Sequence, residues 1–210
     1  MSAYLDVTLF LTTFLTLFVI MDPPGIIPVF LALTSTQTAK QRRAAAAQAT
    51  LTSFGVMLVF TLFGRSILDF LQISLPALEV SGGLLLLLVA MELLTGKGEG
   101  SGATKTKNNV ALVPLATPLM AGPGSIVAIM VAAQNSSGSI AAWSSLGAAL
   151  LAVHVALWLA MRFADVIHSI LGEDGTLLIT RLAGMLLAAI AVQIMANGVF
   201  SFIDAYLGST

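Results

Sequence analysis

Ile20-Met21-Asp22-Pro23-Pro24-Gly25-Ile26-Ile27-Pro28 cuts an apolar run that begins at Leu5, and Met120-Ala121-Gly122-Pro123-Gly124-Ser125 cuts another that begins at Val110. A Pro-Pro-Gly or Gly-Pro-Gly cluster cannot continue an α-helix, because proline lacks the N–H and collides with the preceding turn. Glycine supplies the dihedrals that a break needs. In a soluble chain such clusters would be surface loops. Here the flanking sequence is too apolar for a surface loop, so the chain carries broken backbone inside hydrophobic segments.

Composition says which solvent those segments meet. Of 210 residues, 58% are hydrophobic and 9% charged, against about 25% charged in a soluble domain. The nine Lys and Arg and ten Asp and Glu gather between the apolar runs. This is the pattern of an integral membrane protein. No basic stripe points to nucleic acid. With no cysteine there is no disulfide framework, thiolate metal site or cysteine nucleophile. Asp6, and no Lys or Arg, precedes the first apolar run, so residues 5–20 read as mature protein, not as a signal peptide.

Six crossings are predicted, at about 5–34, 42–64, 74–95, 110–134, 140–161 and 177–202, each near the 20 residues that a ~30 Å hydrocarbon core requires. The first and fourth are discontinuous. If the N-terminus lies outside, the cytoplasmic connections hold Lys40, Arg42, Arg43, Lys97, Lys105, Lys107, Arg162 and Arg181, and only Arg65 lies outside. The positive-inside rule therefore predicts both termini on the outer, periplasmic face of the inner membrane.

Residues 96–109 open on Gly-Lys-Gly-Glu-Gly-Ser-Gly, a flexible composition near the midpoint. On either side of this linker the chain repeats itself. Pro24-Gly25 matches Pro123-Gly124 at an offset of 99, and Ser81-Gly82-Gly83 matches Leu182-Ala183-Gly184 at 101, which sets Glu92 against Gln193. One polytopic domain over 1–210 is expected, with repeat one at about 1–95 and repeat two at about 110–210. Three crossings per half is an odd number, so the halves would be inverted repeats, a transporter architecture with its site on discontinuous helices.

Broken backbone survives in a membrane only when buried in protein or lining a wet cavity. At the first break the carbonyls of Val19, Ile20 and Met21 lose helical partners and the amides of Gly25, Ile26 and Ile27 are predicted free. At the second the same holds for the carbonyls of Pro118, Leu119 and Met120 and the amides of Gly124, Ser125 and Ile126. Half-helix N-termini suit a carboxylate and C-termini a cation, so a site with both suits a zwitterion. Asp22 could meet an ammonium, carry a coupling proton or cap the next half-helix. Ser125 could donate to substrate or to its own helix. Plain kinks for packing are the competing reading of both breaks.

Other polar residues in apolar runs are candidates by default. Glu92 reads as a coupling candidate or a residue reaching for the interface, and Glu79 as a first-turn carboxylate. His154 reads as hydrogen-bonded within the bundle or as a proton relay. Gln193 and Asn197, four apart, share a helical face.

The two breaks, with Pro114-Leu115-Ala116-Thr117-Pro118-Leu119 leading into the second, resemble the MarC family of inner-membrane proteins, also called small neutral amino acid transporters of the SnatA type or UPF0056 proteins. Ser81-Gly82-Gly83, Leu171-Gly172-Glu173-Asp174-Gly175, Arg181-Leu182-Ala183-Gly184 and Gln193 with Gly198 support the resemblance, which covers nearly the whole chain. It implies six spans and transport of small neutral amino acids such as glycine and alanine. The chain departs at Ile26, where many members carry Asn, leaving one side-chain donor fewer at the first break.

The leading expectation is a secondary transporter of small neutral amino acids working by alternating access. The expected substrate-binding residues are Asp22, Pro24, Gly25, Ile26, Gly122, Pro123, Gly124, Ser125 and Gln193. Asp22 and Glu92 are the coupling candidates, for a proton or sodium ion. The remaining partners are the lipid bilayer and, as an option, further copies of the chain. The alternatives are a passive channel for small solutes and a membrane protein with no transport role. No phosphate-binding Gly-x-x-x-x-Gly-Lys-Ser/Thr, His-Glu-x-x-His or Gly-x-Ser-x-Gly occurs, so no catalytic residue, metal or cofactor is assigned and the chain is not expected to be an enzyme.

Overall fold

The computed structural model describes residues 5–95, 120–134, 136 and 138–207. The linker 96–109 and the first part of the fourth predicted span, including Pro114, Pro118 and Leu119, lie outside the described residues. The described elements are all helical: α1 (Val7–Met21), α2 (Ile26–Leu33), α3 (Ala39–Leu71), α4 (Leu75–Thr95), α5 (Pro123–Gln134), α6 (Ile140–Arg162) and α7 (Ala164–Leu207). Four stretches are long and apolar enough to cross a membrane unbroken: Ala39–Leu71, Leu75–Thr95, Ile140–Arg162 and Asp174–Leu207. They coincide with the second, third, fifth and sixth predicted spans. The first predicted span is divided into α1 and α2, and α5 is the described part of the fourth.

Helix ends follow local chemistry. Asp6 caps α1 by accepting the Leu9 N–H at 3.0 Å. Thr38 caps α3 in a capping box with Gln41, and Ser139 caps α6 through the Ala142 N–H. Two predicted connections are shorter than expected. The polar stretch 65–74 is mostly helix, because Arg65 and Asp69 sit on an exposed face one turn apart and leave the backbone ladder intact. The chain turns only at Gln72, in the left-handed region at φ 56°. The stretch 162–176 is likewise helical from Ala164, interrupted at Gly172, whose φ of 67° favours glycine.

Two contacts fix which ends share a face. Arg42 at the start of α3 pairs with Asp165 at the start of α7, both carboxylate oxygens lying within 2.8 Å. The Asp6 N–H donates to Ser145 Oγ near the start of α6 at 2.7 Å. The first and fifth connections therefore lie together, and the chain start lies beside the fourth.

Large apolar side chains point outward, among them Leu51, Leu178, Leu182, Met185 and Leu186. Small ones are buried, among them Ala45, Ala46 and Ala49 of α3 and Ala142 and Ala149 of α6. Large side chains such as Phe30, Met57 and Leu146 are buried as well, but lipid offers apolar surface no worse than a partner helix does, so the outward ones need no cover and close approach of helices falls to small residues. The tightest seam is α4 against α7. A Cβ on Gly83 would lie 2.8 Å from the Ala191 carbonyl and against Met195. A Cβ on Gly184 would lie 3.3 Å from the Ala90 carbonyl and 3.3 Å from Leu94 Cγ. Adding 101 to Gly83, Ala90 and Leu94 gives Gly184, Ala191 and Met195, so the two contact sets exchange.

Gly83 faces backbone, which cannot step aside. Gly83→Val is therefore expected to destabilise the folded protein by about 1–3 kcal/mol through overpacking. At Gly55 an added Cβ would meet nothing within 4 Å, so that position should accept alanine without loss. Thermal unfolding in detergent of the two variants against the parent checks both outcomes.

Candidate functional site

Pro23 and Pro24 have no N–H, so the carbonyls of Val19 and Ile20 are left without their i+4 donors. Asp22, just before the prolines, lies in the left-handed region, φ 41° and ψ 69°, its N–H bonded to the Phe18 carbonyl at 3.1 Å. Asp is among the few non-glycine residues that tolerate this conformation. Its side chain is buried, and Oδ2 has no hydrogen-bond partner among the described residues. Gly25 lies directly over that carboxylate, with Thr180 of α7 close on its other side.

The amides behind the break are not all free, which corrects one expectation. The Ile26 N–H donates to the Asp22 carbonyl at 3.1 Å and the Ile27 N–H to the Pro24 carbonyl at 3.2 Å. The tight turn that breaks the helix also closes these two bonds. At the second break the Ile126 N–H donates to the Gly122 carbonyl at 3.1 Å. Ser125 Oγ donates to the carbonyls of Gly122 at 2.9 Å and Met120 at 3.2 Å. Of the two roles open to Ser125, the structure shows the back-bonded one, and the Met120 carbonyl is thereby partnered. The first break thus holds an unsatisfied carboxylate oxygen and two carbonyls without helical donors.

Met21 and Ile26 of the first break and Met120 and Ala121 of the second belong to one buried cluster. Each break is backed by a long helix from the opposite half of the chain: Gly25 faces Thr180 of α7, and Gly124 faces Leu86 of α4. Gly122 and Pro24 are half-buried and Ile26 and Ser125 fully buried. Pro123 opens α5. Glu92 is exposed on α4. Glu79 is buried at 5% exposure, its Cβ packed toward Gly198, a more enclosed place than a first-turn carboxylate needs.

His154 is buried. Its Nδ1 lies 2.8 Å from the Leu150 carbonyl, which can only accept, so Nδ1 carries the hydrogen and Nε2 accepts from the Ser53 hydroxyl at 3.1 Å. Both ring nitrogens are occupied inside the bundle, linking α3 to α6.

An open-sided cavity of about 410 Å³ lies between α1, α5 and α7, with Thr12, Gln193 and Asn197 exposed on its wall. Its polar lining comes from Thr12, Thr13 and Thr16 of α1 and from Gln193 and Asn197 of α7. Gln193 is the one predicted substrate-binding residue that lines it. The threonines carry little signal in the sequence. All it offers is hydroxyls at i and i+4 within an apolar run, a pattern weaker than Pro-Gly because threonine is common in membrane helices.

Comparison with known proteins places these features in a lineage. The model of the family described as MarC family integral membrane protein matches residues 7–203. A UPF0056 membrane protein of Methanocaldococcus jannaschii is 36% identical over 201 residues, covering 93% of this chain and 98% of its own. The UPF0056 membrane protein YvbG of Bacillus subtilis is 33% identical, covering 88% and 91%. The UPF0056 membrane protein YhcE of Escherichia coli is 32% identical, covering 94% and 95%. No solved structure matches the chain.

Proposed function

Since the chain belongs to the MarC family of integral membrane proteins, we propose that it is a secondary transporter of small neutral amino acids in the inner membrane, working by alternating access and without enzymatic activity. One observation carries the reading: Asp22, buried with an unpartnered oxygen at the end of a half-helix whose last carbonyls face two prolines. A kink made only for packing has no use for a buried carboxylate oxygen without a partner, which costs about 1–3 kcal/mol to leave unsatisfied. Half-helix ends of this kind receive substrate and coupling ion in transporters.

The inverted 3+3 architecture is part of the proposal. Four pairs support it. Pro24-Gly25 and Pro123-Gly124 stand 99 apart, while the helix caps Thr38 and Ser139, the bonded pair Ser53 and His154, and the seam glycines Gly83 and Gly184 all stand 101 apart. Residues that are equivalent and also touch, as Ser53 and His154 do, are what a pseudo-two-fold axis between α3 and α6 would produce. The break of each half resting on a long helix of the other agrees with this.

With the termini on the periplasmic face, the chain's lack of cysteine makes orientation directly testable. A single cysteine at Ser35→Cys is expected to resist a membrane-impermeant maleimide added to intact cells, and one at Ile73→Cys to react. The reverse pattern would invert the assigned orientation.

Substrate class is tested by ligand stabilisation. A ligand that binds only the folded state raises its apparent stability by about 2.7 kcal/mol at a hundredfold excess over Kd. Glycine, alanine, serine and threonine should each raise the unfolding temperature of the purified protein, and glutamate and lysine should not. If none of the four neutral amino acids did so near saturation, the amino-acid assignment would fall.

A further inference from the structure

The cavity between α1, α5 and α7 has a chemistry of its own. The Gln193 carboxamide nitrogen donates to Asn197 Oδ1 at 2.9 Å. That bond leaves the Gln193 carbonyl oxygen as a free acceptor and the Asn197 amide as a free donor. Thr34, Thr50, Thr61, Thr95 and Thr176 turn their hydroxyls back onto carbonyls four residues earlier. Thr12, Thr13 and Thr16 make no such bond among the described residues, although Thr13 is 4% exposed. Their hydroxyls stand ready for a guest. Among the described residues no Asp, Glu, Lys, Arg or His lines the space, so a guest meets only neutral donors and acceptors, with an acceptor on Gln193 and a donor on Asn197 side by side.

Depth is fixed by the rise of 1.5 Å per residue. Thr12 and Thr16 lie roughly 9 and 15 Å along α1 from Asp6. Asn197 lies about 15 Å along α7 from Leu207. Gln193, one turn further in, lies about 21 Å from Leu207, so the cavity reaches from the side of the chain ends to mid-depth or beyond, toward the first break. Its volume falls at the lower end of the roughly 300–1,000 Å³ range of small-molecule sites.

We propose that this cavity is a binding station for a small zwitterion, the Gln193 oxygen receiving its ammonium and the Asn197 amide its carboxylate, with the α1 hydroxyls completing the polar shell. This deepens the transport reading and rests on it for the substrate class.

The test uses the full chain with one cysteine, Thr12→Cys or, should that variant not fold, Thr16→Cys, in proteoliposomes. A membrane-impermeant methanethiosulfonate reagent should modify it, and saturating alanine or glycine should slow modification about fivefold or more. Acetate and methylammonium, each carrying half of the zwitterion, should give no protection. Adding Gln193→Leu should raise the protecting alanine concentration about tenfold. Wild-type exchange of alanine is measured in parallel. Exchange without protection would overturn the pocket and leave the transport reading standing. Protection without exchange would support the pocket and defeat the transport reading. Equal protection by acetate would overturn the choice of a zwitterion.

Discussion

Replacing Gly25 with alanine is expected to abolish gradient-driven accumulation of amino acid while the protein still inserts and folds. The Cβ would lie 2.7 Å from Asp22 Cγ and 3.1 Å from Thr180 Oγ1. Gly25 is half-buried, and its first obstacle is a side chain that can rotate. The fold is therefore expected to survive at a cost of about 1–3 kcal/mol. The carboxylate cannot keep its place, because the new methyl occupies it. Gradient-driven uptake should fall to background if Asp22 must hold that position, and only modestly if the break is merely a kink. Gly124→Ala meets Leu86 instead, Cγ at 2.7 Å, so it should cost similar stability with a smaller loss of transport. Uptake into proteoliposomes, normalised to reconstituted protein, separates the two variants.

Asp22→Asn is expected to have the second-largest effect, in a different assay. Asparagine tolerates the left-handed conformation as aspartate does and fills the same volume, so folding should be retained or improved once the buried charge is gone. If Asp22 holds the coupling cation, the ability to hold it disappears. The variant should exchange alanine across the membrane but no longer accumulate it against a gradient under an imposed proton or sodium gradient. A variant that still concentrates alanine would remove Asp22 from the coupling step and pass the role to Glu92. That residue's exposed position on α4 makes it the weaker candidate.

Much of this was legible in the sequence, for identifiable reasons. Proline's missing N–H and glycine's freedom are local properties, so the first break and the start of α5 at Pro123 could be placed to the residue. Hydropathy and charge bias are summed over about 20 residues at a time, so the long apolar helices emerged where expected. Their ends did not, because Arg65 and Asp69 on an exposed face allow α3 to run on past the apolar window. Side-chain partnerships were beyond reach, since they depend on which helices meet. Ser125 could have faced a ligand, and only the local fold around Gly122 decided that it bonds backward. Ser53 carried no signal at all until α3 lay against α6 and set it on His154. The threonines of α1 likewise looked like ordinary helix residues until α7 placed Gln193 and Asn197 opposite them.

The central claim is that the chain is a carrier, and counterflow tests it most directly. Purified protein is reconstituted into liposomes loaded with millimolar unlabelled alanine and diluted into a trace of labelled alanine. A carrier is expected to take up label transiently above equilibrium, saturably, and faster than into empty liposomes. Flux that rises linearly with concentration and ignores internal alanine would contradict the account and identify a passive pore.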